Sequence, residues 1–199
     1  MAKIKKSKAV GAEDLGVLIL TSIDAEFRDC EDRVMAVVGA AYLDSIIEQL
    51  LRAAFMSDEE EADRLLAPDR PIGATGARYQ LAYCLGLISR DQRDDLKTIA
   101  KVRNLFAHDY SIASLEDERA KAIVKSLHFA KRREALRKSL STGGRAAEKT
   151  THLGPRTTEQ RAVLRDAVFE LFIGLLPKVR DVRRADHARW FESGDAIGA

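Results

Sequence analysis

Apolar residues recur at intervals of three and four along nearly the whole chain, and no stretch alternates apolar with polar long enough to make a half-buried strand. The pattern predicts an all-α fold, a single helical bundle of about six to eight helices. A first helix is expected over 13–27 and a second over 31–55, with Asp29 as its cap. A short acidic helix over 58–66 stops before Pro68, and two prolines with two glycines make 67–76 a loop. The next helix covers 75–87, with Gly86 allowing the chain to turn. Ser89 then caps a helix over 90–108, whose Asp91 sits in the first turn where the helix dipole favours acids. Ser114 opens another, with Glu116, Asp117 and Glu118 at its positive end; it continues or breaks near His128 and reaches about 140. The stretch 141–155, rich in Gly, Thr and Ala, reads as a mobile loop. Thr157 or Thr158 starts a last, leucine-rich helix that Pro177 either kinks or divides before it ends near Phe191. The expected organisation is a basic flexible terminus over 1–12, one helical domain over 13–191 with the mobile loop near 141–156, and a flexible tail over 192–199.

The second helix carries two apolar clusters. Val34, Val37, Val38 and Ala41 fall on one side at ~100° per residue, and Leu43, Ile47, Leu50 and Ala54 nearly opposite. Either the helix is covered on two sides, or it bends near Gly39, or one side meets a second subunit. Asp44, Glu48 and Arg52 continue the line of the first cluster, which puts carboxylates along a largely buried helix, where acids are rare unless paired.

With 199 residues, 46% of them apolar, the chain is long enough to bury a sizeable core, and its composition excludes disordered and collagen-like classes. Cys30 and Cys84 are too few for a disulfide scaffold, and no apolar signal segment follows the first lysines, so a soluble protein of a bacterial-type cytoplasm is expected. Apolar runs such as 17–20 and 171–176 fall far below the ~20 residues of a membrane span, so no membrane partner is expected.

The net charge of +2 conceals opposite halves: residues 13–118 hold 22 acids and 11 bases, residues 119–199 nine acids and 18 bases. Ten of those bases lie in 119–149, including Lys131, Arg132, Arg133, Arg137 and Lys138. Such a stripe is either a solvated helix face or a surface for phosphate, an acidic partner or the acidic half of a second copy.

Candidate chemistry concentrates on the helix over 90–108. Leu96, Ile99, Val102 and Phe106 form its inward stripe, and Arg103 falls inside it, about 40° from Ile99 on the wheel. A guanidinium aimed at a core must be paired, and Asp44 and Glu48 are the expected ion-pair support. Asn104 and His108 are i, i+4 neighbours on an adjoining face, with Asp109 and Tyr110 just beyond. A cationic His beside an Arg and an amide can hold a phosphodiester, the His moving a proton and the Arg steadying the oxyanion. The alternative is a structural ion pair and a helix-end histidine capping carbonyls.

The string RNLFAHDY (103–110) resembles the R-x4-H-x-Y signature of the HEPN superfamily, small helical bundles that often dimerise. That resemblance implies a metal-independent ribonuclease, toxin-like and paired with an antitoxin, with Arg103 and His108 catalytic, Asn104 orienting them and Tyr110 an auxiliary tyrosine. A longer stretch is similar to the mannitol operon repressor family: YLDSIIEQLL (42–51), PIGATGARYQLAYCLGLI (71–88), the helix ending in 104–109 and the last leucine-rich helix, together about 31–180. It implies an all-α bacterial regulator acting in transcriptional repression through partners or phosphate-backbone contacts, without a standard helix-turn-helix. Leu81, Leu85, Leu87, Gly73 and Gly86 carry this match, and they read as packing positions.

Simpler chemistries do not fit. A helix-turn-helix over 81–104 would open its recognition helix with Asp91, Asp94 and Asp95, which DNA phosphates repel. His108, His128, His152 and His187 are scattered and no metal-binding motif accompanies them, so no metal and no cofactor are expected. No Gly-x-Ser-x-Gly elbow exists. Trp190 with Phe191 reads as a docking contact. The expected partners are a second copy, a regulator or antitoxin protein, and nucleic acid.

Overall fold

A computed structural model describes residues 12–55, 58–142 and 158–184. These contain eight helices and no strand: α1 (Ala12–Asp29), α2 (Asp32–Ala54), α3 (Glu59–Leu66), α4 (Thr75–Cys84), α5 (Arg90–His108), α6 (Glu118–Ser126), α7 (His128–Thr142) and α8 (Glu159–Arg184). The expected tail over 192–199, the helix end near Phe191, nearly all of the expected loop near 141–156 and all of the expected terminus over 1–12 except Ala12, which opens α1, lie outside the described residues.

Local chemistry sets most of the boundaries. Asp58 caps α3 by accepting from the Glu61 N–H at 3.1 Å. At the start of α5, Ser89 Oγ accepts from the Gln92 N–H while the Gln92 side chain accepts from the Ser89 N–H, a complete capping box. α4 ends three residues earlier than its apolar pattern runs. Gly86 adopts φ +71°, its N–H bonds the Tyr83 carbonyl, and the Leu87 N–H bonds the Ala82 carbonyl, the double bond of a Schellman turn that only a left-handed residue permits.

Several expected boundaries are corrected. The N-cap of α2 is Glu31, without a side-chain bond, in place of Asp29. Asp117 rather than Ser114 caps α6. The chain does break near His128: Leu127 turns extended, wholly buried, and α7 starts afresh. α8 runs through Pro177 as a single helix. Pro177 and Ile173 both lie on its exposed side, so the carbonyl that loses its N–H partner is on the side open to water.

α2 is the centre of the bundle, packed chiefly against α8 and α5, and also against α4 and α3. Its second cluster is the buried one, broadened to Leu43, Ile46, Ile47, Leu50 and Leu51, while Val34 and Val37 remain 39% and 37% exposed and Ala41 is exposed. Gly39 lets α8 approach closely, since a Cβ there would stand 3.3 Å from Val168 Cγ2. Among the described residues α2 alone is long and apolar enough to cross a bilayer, with a mean hydropathy of 1.5, and half of that stretch is buried inside the bundle.

Candidate functional site

Arg103 sits on α5 where that helix crosses α2. Its Nη1 lies 3.7 Å from Asp44 Oδ2, and 31% of its side chain stays exposed, so it points along the seam rather than into the core. Two hydroxyls from α4 bind Asp44 more closely: Tyr79 Oη donates at 2.5 Å and Thr75 Oγ1 at 2.9 Å. Asp44 therefore joins α2, α4 and α5 at one point. Burial, and then the Asp44 charge and hydrogen bond, push the Tyr79 hydroxyl far above the usual phenol range.

Glu48, the second carboxylate expected to support Arg103, is engaged elsewhere. Arg78 Nη1 reaches it at 2.9 Å and Arg52 Nη2 at 3.0 Å. Arg78 also donates to the carbonyls of Leu66 and Ile72, tying the loop between α3 and α4 to the bundle, and Arg52 clamps α3 through Asp63. An Arg on the helix next to Glu48 outcompetes one on α5, a preference that helical periodicity alone does not reveal.

Asn104 accepts from Arg103 Nε through its Oδ1 at 3.1 Å. His108 is the exposed last residue of α5. Tyr110 is 88% exposed. Its ring lies 5.7 Å from the guanidinium of Arg33, a residue the sequence reading did not single out. Arg33 donates to the carbonyls of Phe106, Asp109 and Ile112, so the cation that caps the carboxyl end of α5 comes from α2 and not from His108. Asp109 fixes the following turn by accepting from the Ser111 hydroxyl and N–H and from Arg119. Those donors hold its carboxyl below the usual carboxylate range.

The truly buried guanidinium is Arg161 on α8, with 4% of its side chain exposed. It meets Asp32 at 2.5 Å and the carbonyls of Phe27 and Cys30. Asp32 in turn accepts from the Ser114 hydroxyl and the Leu115 N–H, so a single pair anchors α8, the turn between α1 and α2 and the segment before α6. At the other end of the bundle the buried Asp95 accepts from the backbone N–H groups of His128, at 2.6 Å, and Phe129, at 3.0 Å, thereby capping α7 from α5. Burial raises its carboxyl while these two N–H groups act the other way. α7 therefore starts beside the opening turns of α5, and Asp95, one of the three acids at the head of the would-be recognition helix, is spent on this cap.

The expected basic surface lies on α7, all of it exposed from Lys131 to Ser139. Arg132 pairs with Glu170, Arg133 with Asp166 and Arg137 with Glu159, all on α8, while Lys138 pairs with Glu134. A cleft of about 700 Å³ between these helices is lined by Lys125, Arg133, Arg137, Glu159, Gln160 and Val163 among others. No group of three metal-ligating side chains occurs among the described residues.

These features define a helical scaffold whose polar side chains join helices to one another, with charged and apolar side chains left on the outside. Residues 28–164 match the family model described as Mannitol repressor, MtlR, and the chain belongs to that family. It is a repressor-like regulator of the soluble kind. Two solved structures share the fold. The first is the MtlR–HPr complex from Escherichia coli, with TM-score 0.54 and 17% identity over 82% of this chain and 97% of that one. The second is a possible transcriptional regulator, YggD, from Shigella flexneri, with TM-score 0.55 and 17% identity over 87% and 99%. No curated protein matches the sequence.

Proposed function

We propose that the protein is a cytoplasmic bacterial repressor that acts by binding a protein partner, with HPr as the first partner to test. The match to the Mannitol repressor family over 28–164, which spans α2 to the start of α8, carries this reading. The structure of a similar fold in complex with HPr supports the choice of partner. The acids at the amino end of α5, one of them engaged in capping α7, speak against a helix-turn-helix route to DNA. Titration of the purified protein with HPr of the same bacterium is expected to give saturable heat. Deletion of the gene is expected to raise the mannitol-operon transcript; neither effect appearing would reject the proposal. Self-association is part of it, with the outward Val34, Val37 and Ala41 of α2 as the contact. Light scattering is expected to give twice the chain mass for the native protein and once for Val37→Glu.

A second reading has one observation in its favour, the Arg103 to Asn104 bond beside an exposed His108 at a helix end. Under that reading Arg103 and His108 cut RNA, with Asn104 orienting Arg103 and Tyr110 assisting. Pure protein incubated with RNA, beside Arg103→Ala and His108→Ala, tests it: cleavage lost in both variants supports it, and no cleavage by the native chain rejects it.

A further inference from the structure

The outer part of α7 is held against α8 by charged side chains. From Lys131 to Ser139 each residue is exposed, Leu136 at 62%, so these nine residues add no buried apolar side chain to the core. What faces α8 across the cleft is a set of arginines meeting a set of acids: Arg137 with Glu159 at 3.4 Å, Arg133 with Asp166 at 2.8 Å, and Arg132 with Glu170. The three acids occupy one stripe of α8, at i, i+7 and i+11. All six side chains keep between 33% and 75% of their surface in water. Pairs so solvated exchange partners readily and weaken with salt. Lys131 and Lys125 add exposed positive charge beside them.

A row of carboxylates on one helix, each taken by an arginine of the other, offers those arginines what a phosphate backbone offers: successive negative charges within reach of guanidinium donors that also suit phosphate. We propose that Arg132, Arg133 and Arg137 form a duplex-DNA backbone contact that is masked from within, the α8 stripe of Glu159, Asp166 and Glu170 being the internal competitor for them. Exchange needs only side-chain rotation, since Asp95 and the partly buried Phe129 hold the other end of α7 in place. The surface reads backbone charge and not sequence. The inference rests on the regulator reading for its choice of DNA as ligand.

The test uses the full chain, a random-sequence duplex of defined length, and a salt series. The native protein is expected to bind weakly at low salt. Glu159→Gln/Asp166→Asn/Glu170→Gln is expected to bind at least tenfold tighter, with the slope of log affinity against log salt steeper by roughly two to three, at about 0.9 per phosphate contacted. Adding Arg132→Gln/Arg133→Gln/Arg137→Gln is expected to abolish the gain. If that combination loses helicity, Arg133→Gln in the acid-free background serves instead and is expected to lower the slope by about one. Equal affinity of the native and acid-free proteins, or a gain that survives loss of the arginines, would overturn the masking. Tighter binding of polyglutamate than of duplex would overturn nucleic acid as the ligand and point to an acidic protein. None of these outcomes depends on HPr, whose titration is read separately.

Discussion

Arg161 and Arg103 are both guanidiniums beside an aspartate, and their surroundings make them very different contributors. Arg161 is sealed, and three oxygens surround its nitrogens. Removing it strands the Asp32 carboxylate, so Arg161→Ala is expected to cost ~3 to 5 kcal/mol in urea unfolding, the range for breaking a buried pair. Arg103 is a third exposed and stands 3.7 Å from Asp44. Arg103→Ala is expected to cost ~1 kcal/mol or less in the same experiment. A loss at Arg103 as large as that at Arg161 would mean the seam is tighter than its geometry shows. Helical spacing located Arg103 on the inward stripe and Asp44 as its neighbour. It missed Arg161, because on a helix with several arginines nothing in the spacing says which one points inward and which snorkel outward. Tyr79 adds a pH signature. Its folded pKa is raised, so from about pH 10, where an unfolded tyrosine titrates, the unfolded chain releases a proton that the folded one retains, and stability falls as pH climbs toward the folded value. Tyr79→Phe is expected to flatten the fall in unfolding midpoint between pH 9 and 11 relative to the native chain. Equal slopes would show that the Tyr79–Asp44 contact does not act in this way.

At the scale of elements, α7 tests how much a single cap controls. Asp95 supplies both acceptors for its first turn, and residues 131–139 of α7 bury no apolar side chain. Asp95→Ala is expected to lower global stability by ~1 to 2 kcal/mol and to accelerate amide exchange throughout α7 while α2 and α5 stay protected. Uniform acceleration would place α7 inside the cooperative core instead. Helices α3, α4 and α5 were legible because their capping residues and Gly86 are written locally. The cap of α7 was not, since Asp95 lies 33 residues before the N–H it satisfies. The apolar faces of α2 were legible as two clusters. Which of them would be buried depended on the placement of α8, and no pattern internal to α2 contains that. The same holds for the arginines of the basic run over 131–138, whose acids sit on α8, 22 to 38 residues further along the chain.

Over the whole molecule, the two halves of opposite charge are joined where Asp32 of the acidic half takes Arg161 of the basic half, while the basic half pairs the arginines of α7 with its own acids on α8. All-helical architecture and family resemblance were readable from periodicity and from the 42–51 and 71–88 segments. Whether Arg103 and His108 do chemistry was not, because the same residues that suit a phosphodiester also suit a helix seam. Their surroundings favour the seam: Asp44, bound by two hydroxyls, fixes Arg103, and Arg33 does the capping expected of His108. The most direct discrimination is the mannitol-operon transcript in a strain deleted for this gene and complemented with Arg103→Ala/His108→Ala. Full restoration of repression by that variant, equal to the native chain, is the predicted result; failure to repress by a folded variant, together with RNA cleavage by the native protein alone, would contradict it.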